Sequence, residues 1–154
     1  MNKFMKLALE EAIKGINEKA GGPFGAVIVR NGEVIAKAHN EVVSSHDPTA
    51  HAEVVAIRRA SEKLGRFDLS DCEIYTTCEP CPMCYSATHW AKIKKMYYGA
   101  TREDAANVGF DDEYLYKILS GDLRDDSLVL EQSDRDECLK PFVDFDMDDE
   151  KKMY

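Results

Sequence analysis

Residues 24–39, FGAVIVRNGEVIAKAH, decide the fold. Phe24 to Val29 is short, apolar and β-branched, the composition of a strand. Asn31-Gly32 suits the two positive φ angles of a type I′ turn. Val34 to His39 then returns as the second strand of a hairpin. What flanks this hairpin sets the class.

On its N-terminal side, Phe4, Leu7, Ala8, Ala12 and Ile16 recur near helical spacing, predicting a helix over residues 3–19. Gly21-Gly22-Pro23 stops it. On the other side, residues 42–46 read as loop. Asp47-Pro48 reads as a helix N-cap with Pro at the first helical position. That helix runs to about Leu64, where Gly65 closes it. Cys72 to Thr77 is a strand, Glu79 to about Lys92 a helix, and Lys95 to Tyr98 a fourth strand. Glu103 to Val108 and Asp112 to Leu119 are helical, broken at Gly109. Leu128 to Leu130 reads as a short fifth strand. Residues 134–152 favour helix, limited by Pro141. Strands alternating with helices after one hairpin predict an α/β fold in three layers, α/β/α, with a mixed five-stranded sheet. At 154 residues the chain reads as one domain, 1–154.

Hydrophobic residues make up 44% and charged residues 32%, ordinary for a globular protein. No apolar run approaches the roughly 20 residues that span a bilayer. The N-terminus lacks the apolar core of a signal peptide. A cytoplasmic protein without membrane contact is expected. Charge is uneven. Residues 1–100 carry 13 Lys/Arg against 12 Asp/Glu, and residues 101–154 carry 7 against 17. The second half repels phosphates, which lowers the expectation of a nucleic-acid partner.

The chemistry sits in two segments. One is His51-Ala52-Glu53; the other is Pro80-Cys81-Pro82-Met83-Cys84. Each opens a predicted helix, where partial positive charge and free N–H groups favour thiolates. Cys81 and Cys84, at i and i+3, share a helix face and can reach one ion. With His51 they make three zinc ligands, leaving a fourth tetrahedral position for water, as in catalytic sites. Glu53 is then a proton carrier. Other readings compete. Cys78, Cys81 and Cys84 follow a Cys-x-x-Cys-x-x-Cys run, but an iron–sulfur pattern wants a further cysteine where Thr88 stands. A thioredoxin-like redox pair leaves His51 and Glu53 without a task. A structural zinc with Cys78 as fourth ligand is the strongest alternative. A His-x-Glu followed by Pro-Cys-x-x-Cys is the described signature of zinc deaminases, and both halves are present. Cys78 is expected beneath the site. Cys72 and Cys138 are expected as buried small hydrophobes, and His39, His46 and His89 as hydrogen-bonding loop or surface residues.

These residues resemble the cytidine/deoxycytidylate deaminase superfamily. Gly21 to Val27, Asn40, Asp47 to Glu53, Cys78 to Cys84, Trp90-Ala91 and Gly109-Phe110-Asp111-Asp112 are similar to one branch, the bacterial-type guanine deaminases. The similarity covers roughly residues 4–120 and returns at Tyr154. The resemblance implies one Zn2+ per subunit on His51, Cys81 and Cys84. It implies proton transfer by Glu53, and hydrolysis of guanine to xanthine and ammonia. It implies that Asn40 hydrogen-bonds the purine, that Phe24 and Trp90 flank its ring, and that Ala52 lies against it. Asp112 is implied to bind the base and assist departure of the amine. It also implies a homodimer in which residues about 131–154 are swapped, Tyr154 closing the partner's pocket. Read without the resemblance, Phe24 and Trp90 are core aromatics, Asp112 a helix cap and Tyr154 a frayed terminus. Rival functions are a tRNA wobble-adenosine deaminase, a deaminase of guanosine, cytosine or an aminotriazine, and a non-catalytic zinc-stabilised module.

Overall fold

The run Gly25–Val29 carries no polar side chain, so the strand it forms is covered on both faces. In the computed structural model, which describes residues 1–154, this strand is β1 (Gly25–Arg30). It pairs antiparallel with β2 (Glu33–His39) and with β3 (Cys72–Cys78). β3 pairs parallel with β4 (Met96–Ala100), giving a mixed sheet of order β2-β1-β3-β4. Asn31 and Gly32 take φ of 50° and 80°, as the predicted hairpin turn requires.

Side chains alternate across β1. Val27 and Val29, with Tyr75, meet Ala8 of α1 (Lys3–Asn17) on one face. Gly25 permits this approach, since a Cβ there would stand 2.0 Å from the Ala8 carbonyl oxygen. Ala26, Ile28 and Ile74 meet Ala52, Val55 and Ala56 of α3 (Ala52–Leu64) on the other. There α3 lies beside α4 (Pro82–Trp90). The result is the expected three-layer α/β/α arrangement. Ile28, Leu69 and Ile74 are fully buried, each worth about 1.5–3 kcal/mol of apolar burial.

The sheet has four strands, not five. Leu128 to Leu130 lie 61–88% exposed and pair with nothing. Strand-forming composition needs a neighbouring strand and a covered face, and these residues have neither. Residues Val42–Ser45 form a short helix, α2, instead of loop. α3 begins at Ala52, not Pro48, because Asp47 Oδ1 accepts the N–H and hydroxyl of Thr49 (2.8 and 2.7 Å) and makes a local turn. α4 likewise begins at Pro82, three residues later than expected. Beyond β4 come α5 (Arg102–Ala106), α6 (Glu113–Ser120) and α7 (Arg135–Met147), the last shorter than the sequence predicts and running through Pro141. Cys138 on α7 is exposed, contrary to expectation, because no element covers that helix. No helix is long and apolar enough to cross a membrane.

One charged pair is built into the first layer. His39 is buried on β2 rather than at the surface, and its Nδ1 lies 3.2 Å from Glu11 Oε2 of α1. Lys37 Nζ is 3.5 Å from the other Glu11 oxygen. Burial pushes the Glu11 carboxyl up, but the His39 hydrogen bond and the charges of Lys37, Lys14 and His39 outweigh it, so its pKa falls below the usual value. A lowered carboxylate pKa stabilises the fold above the unfolded-state value, and that contribution is lost as pH falls through the folded-state value. Glu11→Gln is therefore expected to cost about 1–2 kcal/mol in urea melts at pH 7. The difference from wild type should shrink below pH 4; an equal deficit at pH 3 would refute the linkage.

Candidate active site

One edge of the sheet gathers the chemistry-bearing residues. The C-terminal ends of β2, β3 and β4 lie there with the start of β1, bringing Asn40, Cys78 and Phe24 to the N-termini of α3 and α4. His51 is the N-cap residue of α3, with φ −66° and ψ 152°. Its ring makes no capping bond and is free to turn toward α4. Cys81 is the N-cap of α4, where its Sγ accepts the Cys84 N–H at 3.5 Å. Pro82 follows at the first helical position, where no N–H is needed.

His51 Nδ1 stands 3.5 Å from both Cys81 Sγ and Cys84 Sγ. All three donor atoms lie within 4.8 Å of one another. Ligands at zinc bond lengths on tetrahedral corners stand about 3.6 Å apart, so the trio fits one zinc ion. Cys78 is not among them; its Sγ points to Thr101 O at 3.6 Å, and burial pushes its thiol up to about 11. The structural-zinc alternative thereby loses its fourth ligand. Within the coupled pair, the hydrogen bond from Cys84 pulls Cys81 down to about 4, with His51 assisting against burial. The same bond, with burial, pushes Cys84 up, so it holds the shared proton. A bound divalent cation takes that proton's place, since both ligands are then thiolates.

Glu53 is 5% exposed. Its Oε1 accepts the Thr76 hydroxyl at 3.0 Å, and its Oε2 lies 3.3 Å from Cys84 Sγ. Burial raises its pKa against these bonds, a shift toward the neutral range where a carboxyl can exchange protons. Thr76 was not singled out by sequence, although a polar inward residue in an otherwise apolar strand face is a visible signal.

A cavity of about 790 Å3 opens over this cluster, lined by His51, Glu53 and Cys81 at its base. Phe24 and Phe110 wall it, their rings 5.0 Å apart and edge to face. Asn40 is buried; its Oδ1 accepts the Val42 N–H at 3.1 Å, which leaves Nδ2 as the free donor. A Cβ at Gly21 would fall 2.0 Å from that Oδ1, so glycine is required there. Asp112 also lines the cavity. It occupies the N-cap position of α6 without capping it, because Asp111 Oδ1 accepts the Glu113 N–H at 2.9 Å instead. Its carboxylate is thus free; burial and the charge of Cys81 raise its pKa against Arg102.

Three expected site residues do not line this cavity. Ala52 is fully buried in the core under α3. Trp90 ends α4, about 13 Å along the helix axis from Cys81, and is 66% exposed. Tyr154 lies against it, ring centroids 5.7 Å apart, and neither lines this cavity. Phe110 and Arg102, which do line it, carried no individual role in the sequence reading.

Residues 1–100 match the family of the cytidine and deoxycytidylate deaminase zinc-binding region. The chain is 48% identical to guanine deaminase of Bacillus subtilis (strain 168) over 139 residues, 90% of this chain and 89% of that one. An X-ray structure of that organism's guanine deaminase superposes with TM-score 0.93 at 46% identity, covering 100% of this chain and 99% of that one. The tRNA-specific adenosine deaminase of Aquifex aeolicus is 47% identical over 97 residues, 63% of this chain and 64% of that one. A solved homologue in complex with 2,6-diaminopurine is 35% identical, with TM-score 0.68 over 71% of this chain and 61% of that one. With these matches and a three-ligand zinc cluster beside a buried glutamate, the chain belongs to the cytidine and deoxycytidylate deaminase family.

Proposed function

We propose that this protein is a zinc-dependent guanine deaminase, forming xanthine and ammonia from guanine and water. Coverage carries the choice. The guanine deaminase of B. subtilis corresponds along 90% of the chain, whereas the tRNA-specific relative corresponds along 63%. In this reading residues 1–154 form one cytoplasmic deaminase domain holding one zinc ion on His51, Cys81 and Cys84.

Each residue has a task. Asn40 Oδ1 already accepts the Val42 N–H, so its Nδ2 is the group offered to an acceptor edge of the base. Phe24 and Phe110, packed edge to face on each other, present an aromatic wall against which a flat ring can lie. Zinc held by the trio would supply the Lewis acidity that lowers the pKa of water toward neutrality. Glu53 takes the proton of the attacking water on a carboxylate oxygen and passes protons to a ring nitrogen and the departing amine. Asp112 holds the amino group and assists its departure. The purified protein should release ammonia from guanine and not from a tRNA anticodon stem; turnover of another base alone would sink the guanine assignment. Glu53→Gln should keep its zinc and lose at least about 10²-fold in kcat. Retained turnover would remove Glu53 from the chemistry.

We also propose a swapped homodimer. Residues 126–150 are exposed throughout, and Phe142, Val143 and Met147 of α7 are 72%, 55% and 77% exposed. Such apolar surface favours a covering partner. Trp90 and Tyr154 stand together outside their own cavity, so they would close the other protomer's pocket as a pair. Light scattering should give twice the 17.4 kDa chain mass. Tyr154→Ala should raise KM for guanine about tenfold at unchanged zinc content, the loss of one stacking contact of roughly 1.4 kcal/mol; unchanged kinetics would exclude Tyr154 from the site.

A further inference from the structure

No residue of α6 is buried, so apolar packing does not fix this helix. It nevertheless begins at Asp112, whose carboxylate must stand at a set place over the cavity. Directed bonds do the holding. The Tyr116 hydroxyl donates to Pro80 O at 2.6 Å, and Pro80 precedes Cys81. The Tyr116 backbone N–H donates to Asp112 O at 3.2 Å, closing the first turn of α6. One residue therefore touches the metal loop with its side chain and Asp112 with its backbone.

The tyrosine is itself fixed. The Arg102 guanidinium lies 3.9 Å from its ring centroid. Arg102 N–H donates to Glu79 Oε2 at 3.1 Å, and its Nε lies 3.6 Å from the other Glu79 oxygen. Glu79 N–H donates to Ala100 O at 2.8 Å, which ties the assembly to the end of β4. Burial pushes the Tyr116 phenol up, so it stays a donor through the neutral range.

We propose that Tyr116 is a positioning residue that sets the placement of the Asp112 carboxylate relative to Cys81 and the base, an inference resting on the role assigned to Asp112 above. Its backbone bond alone would define a helical turn. The side-chain bond to Pro80 defines where that turn stands. A misplacement of about 1 Å at a reacting group can cost up to 10²-fold in rate.

Tyr116→Phe isolates the bond, since it keeps the ring and the Arg102 stack and removes only the hydroxyl. The test is a double-mutant cycle with Asp112→Asn, read as ammonia release under enzyme excess so that slow variants remain measurable, with zinc content measured for each protein. Tyr116→Phe is expected to lower the rate about tenfold or more in the wild-type background and less than twofold in the Asp112→Asn background, at equal zinc content. A wild-type rate in the single variant overturns the proposal. So does an equal fold loss in both backgrounds, or loss of zinc accounting for the decrease. The cycle is run with whichever base the wild-type protein turns over, so failure on guanine would refute the substrate assignment separately from the clamp.

Discussion

The N-termini of α3 and α4 converge on one point, where His51 Nδ1 lies 3.5 Å from two cysteine sulfurs. Two helix dipoles aim partial positive charge at this point, which holds thiolates readily and leaves the histidine ring unneeded as a cap. The layout of the other elements serves that convergence. α3 reaches it from one side of the β1–β2 hairpin, and α4 reaches it at the end of β3. Glu53, one helical residue past Ala52, is carried into the same space and finds Thr76 waiting on β3.

Small side chains make the convergence possible. Beside Ile28, Val55 and Ile74, the layer between α3 and the sheet holds six alanines, Ala26, Ala36, Ala38, Ala52, Ala56 and Ala60. Alanines on both surfaces bring helix and sheet close, so side chains as short as His51 and Glu53 span the gap to α4 and β3. On the other face Gly25 performs the same service for α1. Larger core residues would deepen hydrophobic burial but lift α3 off the sheet, separating the imidazole from the thiols. Compactness of the site is thus purchased with a core of modest side chains.

Local rules account for what the sequence disclosed. Asn31-Gly32 specified its turn because positive φ is a local property, and the apolar run of Phe24 to Val29 marked the strand before it. The zinc trio and Glu53 were legible because their spacing follows from helix starts. The start of α3 was misread because an Asp-Pro pair caps a helix or builds a turn, and the hydrogen bonds to Thr49 select the turn. Leu128 to Leu130 have strand-forming side chains, yet a strand is a pairing and no sequence rule supplies the partner. Trp90 and Tyr154 were assigned to a pocket from resemblance alone; the length of α4 carries Trp90 away from its own chain's cavity. Thr76 is marked only as a polar residue on an apolar strand face and Tyr116 by nothing local, since their partners lie 23 and 36 residues away in sequence.

The charges around the cavity bear on what enters it. Its lining includes Glu79, Asp111 and Asp112 against the single cation Arg102, and Arg102 is already engaged by Glu79. A polynucleotide brings a phosphate every few ångströms and needs free cations along its path. Here it would meet uncompensated carboxylates. A neutral base meets no such penalty, and the cavity wall it would meet includes the aromatic pair of Phe24 and Phe110. The acidic lining thus favours a small neutral base over a polynucleotide, in keeping with the shorter correspondence to the tRNA-specific relative.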